Sequence, residues 1–209
     1  MEQREDGTPV ALHDRAMENL SFIRDAMERS EPFTGISGKG LIAMGLLALA
    51  GGHAARLHRS PDWWIYTWLA VAVLGCVAGL ATMCWKMRNL DRPSVARATR
   101  RFALNVAPAV LAGVFLTEIF YELGLNALMP GLWLLLYGTG VVAGGALSVR
   151  IIPAMGGYLM ILGAVALFWT QWGEQPFARA NPVGEIAMVL GFGGGHIVTG
   201  AIIWRRYGG

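Results

Sequence analysis

The chain has 209 residues, of which 55% are hydrophobic and only 15% charged, and its formal net charge at pH 7 is +3. A soluble domain of this length carries about a quarter of its residues as charges, so composition excludes an ordinary soluble protein and points to an all-α integral membrane protein. The two cysteines, Cys76 and Cys84, exclude a disulfide framework or a cysteine-rich zinc site.

The first element is a predicted amphipathic helix over about 11–31, within "ALHDRAMENLSFIRDAMERSE". Leu12, Ala16, Leu20, Ile23 and Met27 recur there at steps of three and four and form one apolar stripe. "EPFTGISGKG" ends it with Pro and Gly. The opposite face sets Asp14, Glu18, Asp25, Glu28 and Glu31 against Arg15, Arg24 and Arg29. Anionic lipid attracts a basic face, and this one is slightly acidic, so the stripe is expected to meet protein: the chain's own loops, a second copy or a partner. Residues 1–35 read as a cytoplasmic segment and 36–209 as the membrane domain. The start of the chain lacks the basic region and early apolar run of a cleaved signal peptide, so the first span is expected to stay in the mature protein.

Six apolar stretches follow, near 36–58, 63–85, 102–123, 128–149, 151–172 and 183–204, each close to the roughly 20 residues that cross a bilayer. Cys76 and Cys84, both in the second, are expected to act as small buried apolar residues. If the N-terminus is cytoplasmic, fourteen Lys and Arg residues fall inside and only Arg56, Arg59 and Arg179 outside. That asymmetry is the positive-inside pattern. It predicts a six-helix bundle with both termini cytoplasmic, and the basic balance then reflects topology and not a nucleic-acid surface. The tryptophans agree: Trp63, Trp64, Trp68, Trp133, Trp169 and Trp172 lie toward outer span ends, Trp85 and Trp204 at inner ends.

The fourth and sixth spans resemble each other. Laying Tyr137–Arg150 on Phe192–Arg205 without gaps matches Gly138 with Gly193, Gly140 with Gly195, Gly145 with Gly200, and Arg150 with Arg205. The second span ends similarly in "CWK", with Gly75 and Gly79 displaced, so the bundle reads as a repeat of helical hairpins, twofold or threefold.

"LGFGGGHIVTG", Leu190 to Gly200, could be a phosphate-cradling loop, a metal or haem site, or a helix contact. A phosphate loop needs a preceding strand and a following helix N-terminus; these glycines sit inside an apolar span, where an open backbone is costly. Helix packing is the expected role. Gly75 and Gly79, Gly140 and Gly144, and Gly191 and Gly195 form GxxxG pairs, which let backbones approach. Two intramembrane histidines invite a haem, but at about 1.5 Å per residue His196 lies about 12 Å and His53 about 21 Å from the inner ends of their spans. Without a shared depth no haem or other cofactor is expected, and no metal site is legible.

His53, Arg56, Glu118 and Glu122 do share a depth, toward the outer side. Ionisable groups in a membrane mark function by default, and a His with a carboxylate can pass protons or hold a cation; a structural ion pair near the interface is the competing reading. Lys39, Arg150 and Glu185, near span ends, read as snorkelling or capping residues, and "NPVGE" from Asn181 as a helix start. Nothing in the chain forms a nucleophilic triad, an HExxH helix or a Walker loop, which leans against an enzyme.

"HDRAMENLSFIRDAMER", "GLWLLLYGTGVVAGGALSVR" and "GGGHIVTGAIIWRRYGG" resemble a set of small bacterial inner-membrane proteins with no assigned activity. The resemblance implies a six-span inner-membrane protein and brings no site residue. Two functions are expected: first, a non-enzymatic scaffold or regulatory protein that offers its N-terminal helix and the basic "KMRNLDRPSVARATRR" loop to a protein partner or a second copy; second, a small transporter or channel, proton-coupled or not, working through His53, Glu118 and Glu122 with His196 as a deeper relay.

Overall fold

The computed structural model describes residues 9–30, 35–57, 60–90, 93–146, 148–172 and 182–207. They fall into two compact units, Met1–Pro32 and Phe33–Gly209. The first holds one helix, α1 (Pro9–Ser30). Leu20 and Ile23 of the predicted stripe are exposed, and so are Met17 and Phe22, so apolar surface extends beyond the stripe.

The second unit contains six helical spans long and apolar enough to cross a membrane. They are α2 (Gly38–Leu57), α3 (Pro61–Leu90), α4 (Pro93–Glu122), α5 (Met129–Gly145), α6 (Ile151–Trp172) and a last span built from α7 (Pro182–Met188), a π-helical turn (Val189–Gly195) and α8 (His196–Tyr207). The N-cap proposed at Asn181 lies outside the described residues, while Pro182 opens α7 as expected of an N1 proline. The basic stretch 86–101 is not a loop: α3 runs on to Leu90 and α4 begins at Pro93, because polar sequence beyond an apolar span can still continue a helix. Ser37 starts α2 by accepting the Gly40 N–H at 3.2 Å. Gly124, at φ +70°, ends α4 in a Schellman turn, with Leu125 N–H donated to Phe120 O and Gly124 N–H to Tyr121 O.

What binds the spans together is glycine at a spacing of seven. Gly131 and Gly138 of α5 face Gly163 and Gly156 of α6; a methyl on Gly138 would lie 2.7 Å from Gly156 O, and one on Gly156 2.8 Å from Gly138 O. Gly38 and Gly45 of α2 face Gly200 and Gly193 of the last span in the same manner, with a methyl on Gly38 falling 2.6 Å from Gly200 O. Seven residues make two helical turns, so each row keeps to one seam of an antiparallel pair. Backbones this close gain dispersion and Cα–H···O contacts that larger side chains would forbid.

The contact pattern is that of three hairpins. Within hairpins, α2 packs on α3, α4 on α5, and α6 on the last span; between hairpins, α5 packs on α6 and the last span on α2 through the two glycine seams. The third junction, α3 with α4, touches only sparsely. Aligning Lys86 with Arg150 and Arg205 puts Leu74 where the closed seams have Gly138 and Gly193. Leu74 is exposed and is not among the residues that line the opening between α3 and α4. The helical hairpin repeat is thus threefold in its contacts, with one junction left open.

The GxxxG pairs have unequal surroundings. Gly140 and Gly144 lie against α4 at Ala109, Val106 and Phe102; Gly191 and Gly195 receive the side chains of Leu134, Leu159 and Tyr158; Gly75 and Gly79 have only Met44 within 4 Å.

Candidate intramembrane ligand site

A cavity of about 190 Å³ lies behind the open junction. Met44 and Ala48 of α2 and Leu136 of α5 contribute aliphatic walls; Trp68, Trp133, Tyr137, Phe192 and His196 contribute rings. No Lys, Arg, Asp or Glu is among its lining residues. Leu69 and Cys76 of α3 and Val110 and Val114 of α4 line the cavity and are also exposed, so it opens sideways between those helices. At one end of the opening Tyr121 donates its O–H to Asp62 Oδ1 at 2.9 Å, linking the end of α4 to the start of α3.

The rings form a contiguous cluster. Trp64 stacks on Trp133 with centroids 5.6 Å apart and tilts against Trp68, which in turn meets Phe192. Tyr137 contacts both Phe192, at 5.3 Å, and His196, at 5.6 Å. The π-turn contributes to this arrangement: its extra residue per turn shifts the register between α7 and α8, and Phe192 within it and His196 directly after it both reach Tyr137. Four glycines in "GFGGG" weaken the ordinary helical preference there, and Leu190 O accepts the Tyr158 O–H at 3.3 Å.

The polar atoms in this apolar setting are few. His196 is 1% exposed, and its Nε2 shares a 3.0 Å hydrogen bond with the Tyr137 hydroxyl. Its Nδ1 is buried without a hydrogen-bond partner among the described residues. Trp133 donates its Nε1–H to Thr117 Oγ1 at 2.8 Å, and Thr117 donates to Gly113 O at 2.6 Å. Trp68, 4% exposed, has no hydrogen-bond partner for its Nε1.

The residues singled out by shared depth are not brought together. His53 is exposed on α2, and Glu118 and Glu122 are exposed along the final turn of α4. Arg56 pairs with Glu185 of α7, Nε to Oε2 at 3.3 Å, which gives Glu185 a partner and not only a place at a helix end. Both side chains are part-exposed, and such pairs are worth little: Arg56→Ala is expected to shift stability by less than about 1 kcal/mol, measured as the unfolding midpoint in detergent. Lys39 lies over the Trp204 ring, 5.6 Å from its centroid. Cys76 and Cys84 are exposed instead of buried, because α3 turns most of its surface away from the bundle. His196 alone of the intramembrane candidates lines the cavity. Among the described residues no group of three or more His, Cys, Asp or Glu side chains is placed to hold a metal.

The site residues that sequence reasoning passed over are Trp68, Tyr137 and Phe192. A signal existed for two of them: the internal repeat sets Tyr137 on Phe192, and those two rings meet in the cluster.

Fold and cavity together define a polytopic helical membrane protein with an aromatic-lined, side-opening chamber. Comparison with protein-family models, curated proteins and solved structures finds no match to this chain.

Proposed function

We propose that the protein is a non-enzymatic regulatory or scaffold protein of a bacterial inner membrane, which takes a lipid-soluble ligand into its chamber and engages a protein partner through α1. The observation that carries this reading is the chamber: apolar, uncharged and open between α3 and α4 to the layer in which lipid-soluble molecules dissolve. Pockets of this kind, with mostly apolar walls and a few convergent polar groups, are the usual form of small-molecule sites. Exposed apolar residues on α1 support the partner half of the proposal, and the fourteen-to-three distribution of Lys and Arg supports cytoplasmic termini.

The test uses Gly75, which lines the chamber and at which an added methyl would meet nothing nearer than Met44 Cε at 3.9 Å. Gly75→Leu adds a side chain into open space, so the protein is expected to fold while the chamber fills. Purified from native membranes in mild detergent, the parent should release a near-stoichiometric lipid-soluble compound on solvent extraction, and Gly75→Leu should release little. Equal extracts from both would rule the chamber out as the site. Deleting residues 1–31 should leave the extract unchanged and remove any stoichiometric protein partner.

A further inference from the structure

We infer that the chamber's ligand is the head of a prenylated quinone: a planar, neutral, carbonyl-bearing ring held inside, with its apolar tail leaving between α3 and α4. This rests on the reading of the chamber as a site for a lipid-soluble ligand. Four observations select the ring from the other molecules a membrane offers.

The walls are faced with rings, Trp68, Trp133, Tyr137 and Phe192 among them. Aromatic faces and edges reward a planar partner with offset or edge contacts that a saturated chain cannot match. The volume, about 190 Å³, suits one small ring system, since an apolar cavity of about 150 Å³ accepts a benzene. Nothing charged lines the chamber, so a phospholipid headgroup would bury its charges unpaired, at high cost. And Trp68 Nε1 is a buried donor without an acceptor. Indole N–H can only donate, so its complement is an oxygen acceptor on the ligand. A quinone carbonyl supplies one; an acyl chain or a hydrocarbon polyene does not. The Tyr137 and His196 pair provides a second polar point, deeper in the spans. Two protons are shared between the hydroxyl and a neutral imidazole, and their mutual hydrogen bond uses one. The inference concerns binding alone and includes no redox step.

The experiment places the full-length protein in phospholipid nanodiscs free of quinone. Retention of a ubiquinone bearing one isoprene unit is measured by equilibrium dialysis and corrected with empty nanodiscs. 1,4-Dimethylnaphthalene serves as a ring of similar size without a carbonyl. The parent should bind the quinone saturably and at least about ten-fold more tightly than the hydrocarbon. Trp68→Phe keeps a ring but removes the N–H, and should lose about ten-fold in quinone affinity while hydrocarbon binding stays within two- to three-fold. Gly75→Leu should bind neither. Equal affinity for quinone and hydrocarbon, or an unchanged quinone affinity in Trp68→Phe, overturns the quinone assignment while leaving the chamber as a lipid-soluble ligand site. Loss of both ligands in the parent, together with identical native extracts from parent and Gly75→Leu, overturns the site itself. Should Trp68→Phe fail to fold, the parent's preference between quinone and hydrocarbon still decides the assignment.

Discussion

Replacing Gly138 by alanine is expected to destabilise the bundle strongly, whereas the same change at Gly157 should do no harm. The two glycines have opposite surroundings. At Gly138 the added methyl would meet Gly156 O at 2.7 Å, Met160 Cγ at 2.8 Å and Met160 N at 3.0 Å. Two of these atoms are backbone, held by the helix they belong to, so relief requires α5 and α6 to move apart along their whole seam. Overpacking of this kind costs about 1–3 kcal/mol, and lost contacts at Gly131 and Gly163 push Gly138→Ala to the upper part of that range. At Gly157, on the next residue of α6 after Gly156, nothing lies within 4 Å. Alanine there removes a weak helix former, so Gly157→Ala should sit within about 0.5 kcal/mol of the parent, on the stabilising side. Gly45→Ala should follow Gly138→Ala, because its methyl would fall 2.6 Å from Ile197 Cγ1 and 2.7 Å from Gly193 O, across the second seam. Unfolding midpoints of the variants in one detergent decide the matter. Similar losses at Gly138 and Gly157 would mean that the seams do not hold the bundle as described.

Tyr137→Phe is the second change with a large expected effect. It strips the 3.0 Å hydrogen bond from His196 Nε2, at a site 1% exposed. Leaving a buried polar atom unpaired costs about 1–3 kcal/mol, although hydrogen bonds between membrane helices tend toward the lower end, near 1 kcal/mol or less on average. About 1–2 kcal/mol is therefore expected for Tyr137→Phe. His196→Phe leaves the tyrosine hydroxyl without its partner and should also cost stability. The double variant replaces both polar partners by apolar rings, which can be nearly neutral. A double-mutant cycle should show the double variant losing less than the two single losses combined, by about 1 kcal/mol. Strict additivity would show that the pair does not interact in the membrane.

The spans were legible in the sequence because length and hydropathy are properties of single segments. Which faces meet is a property of pairs, which single-segment hydropathy does not carry. Spacings of four drew the eye to Gly75 and Gly79, which border Met44 and the chamber, while the rows Gly38 and Gly45, Gly131 and Gly138, and Gly156 and Gly163 at spacings of seven made the seams. The match of Gly138 with Gly193 and of Gly145 with Gly200 across the repeat already held that period. Shared depth joined His53 to Glu118, yet depth fixes a position only along the bundle axis, and the direction around each helix placed both on exposed surface. The chamber itself left no composition signal. It arises where a contact fails to form, at the junction of α3 with α4, and from a π-turn whose i to i+5 bonds produce no hydropathy period.

The seam between α2 and the last span has a consequence for how the protein is made. Its glycine partners, Gly38 with Gly200 and Gly45 with Gly193, belong to the first and the last of the six spans in chain order. α5 and α6 are neighbours in the chain and can pair as soon as both are inserted; α2 must wait beside α3 until the sixth span follows. The chamber takes one of its walls from Phe192 and His196, so it too comes into being only once that span is in place. A chain cut short before the last span therefore keeps its central pair but has neither the second glycine seam nor a chamber, and quality control in the membrane meets an intermediate whose α2 still exposes a bare glycine backbone.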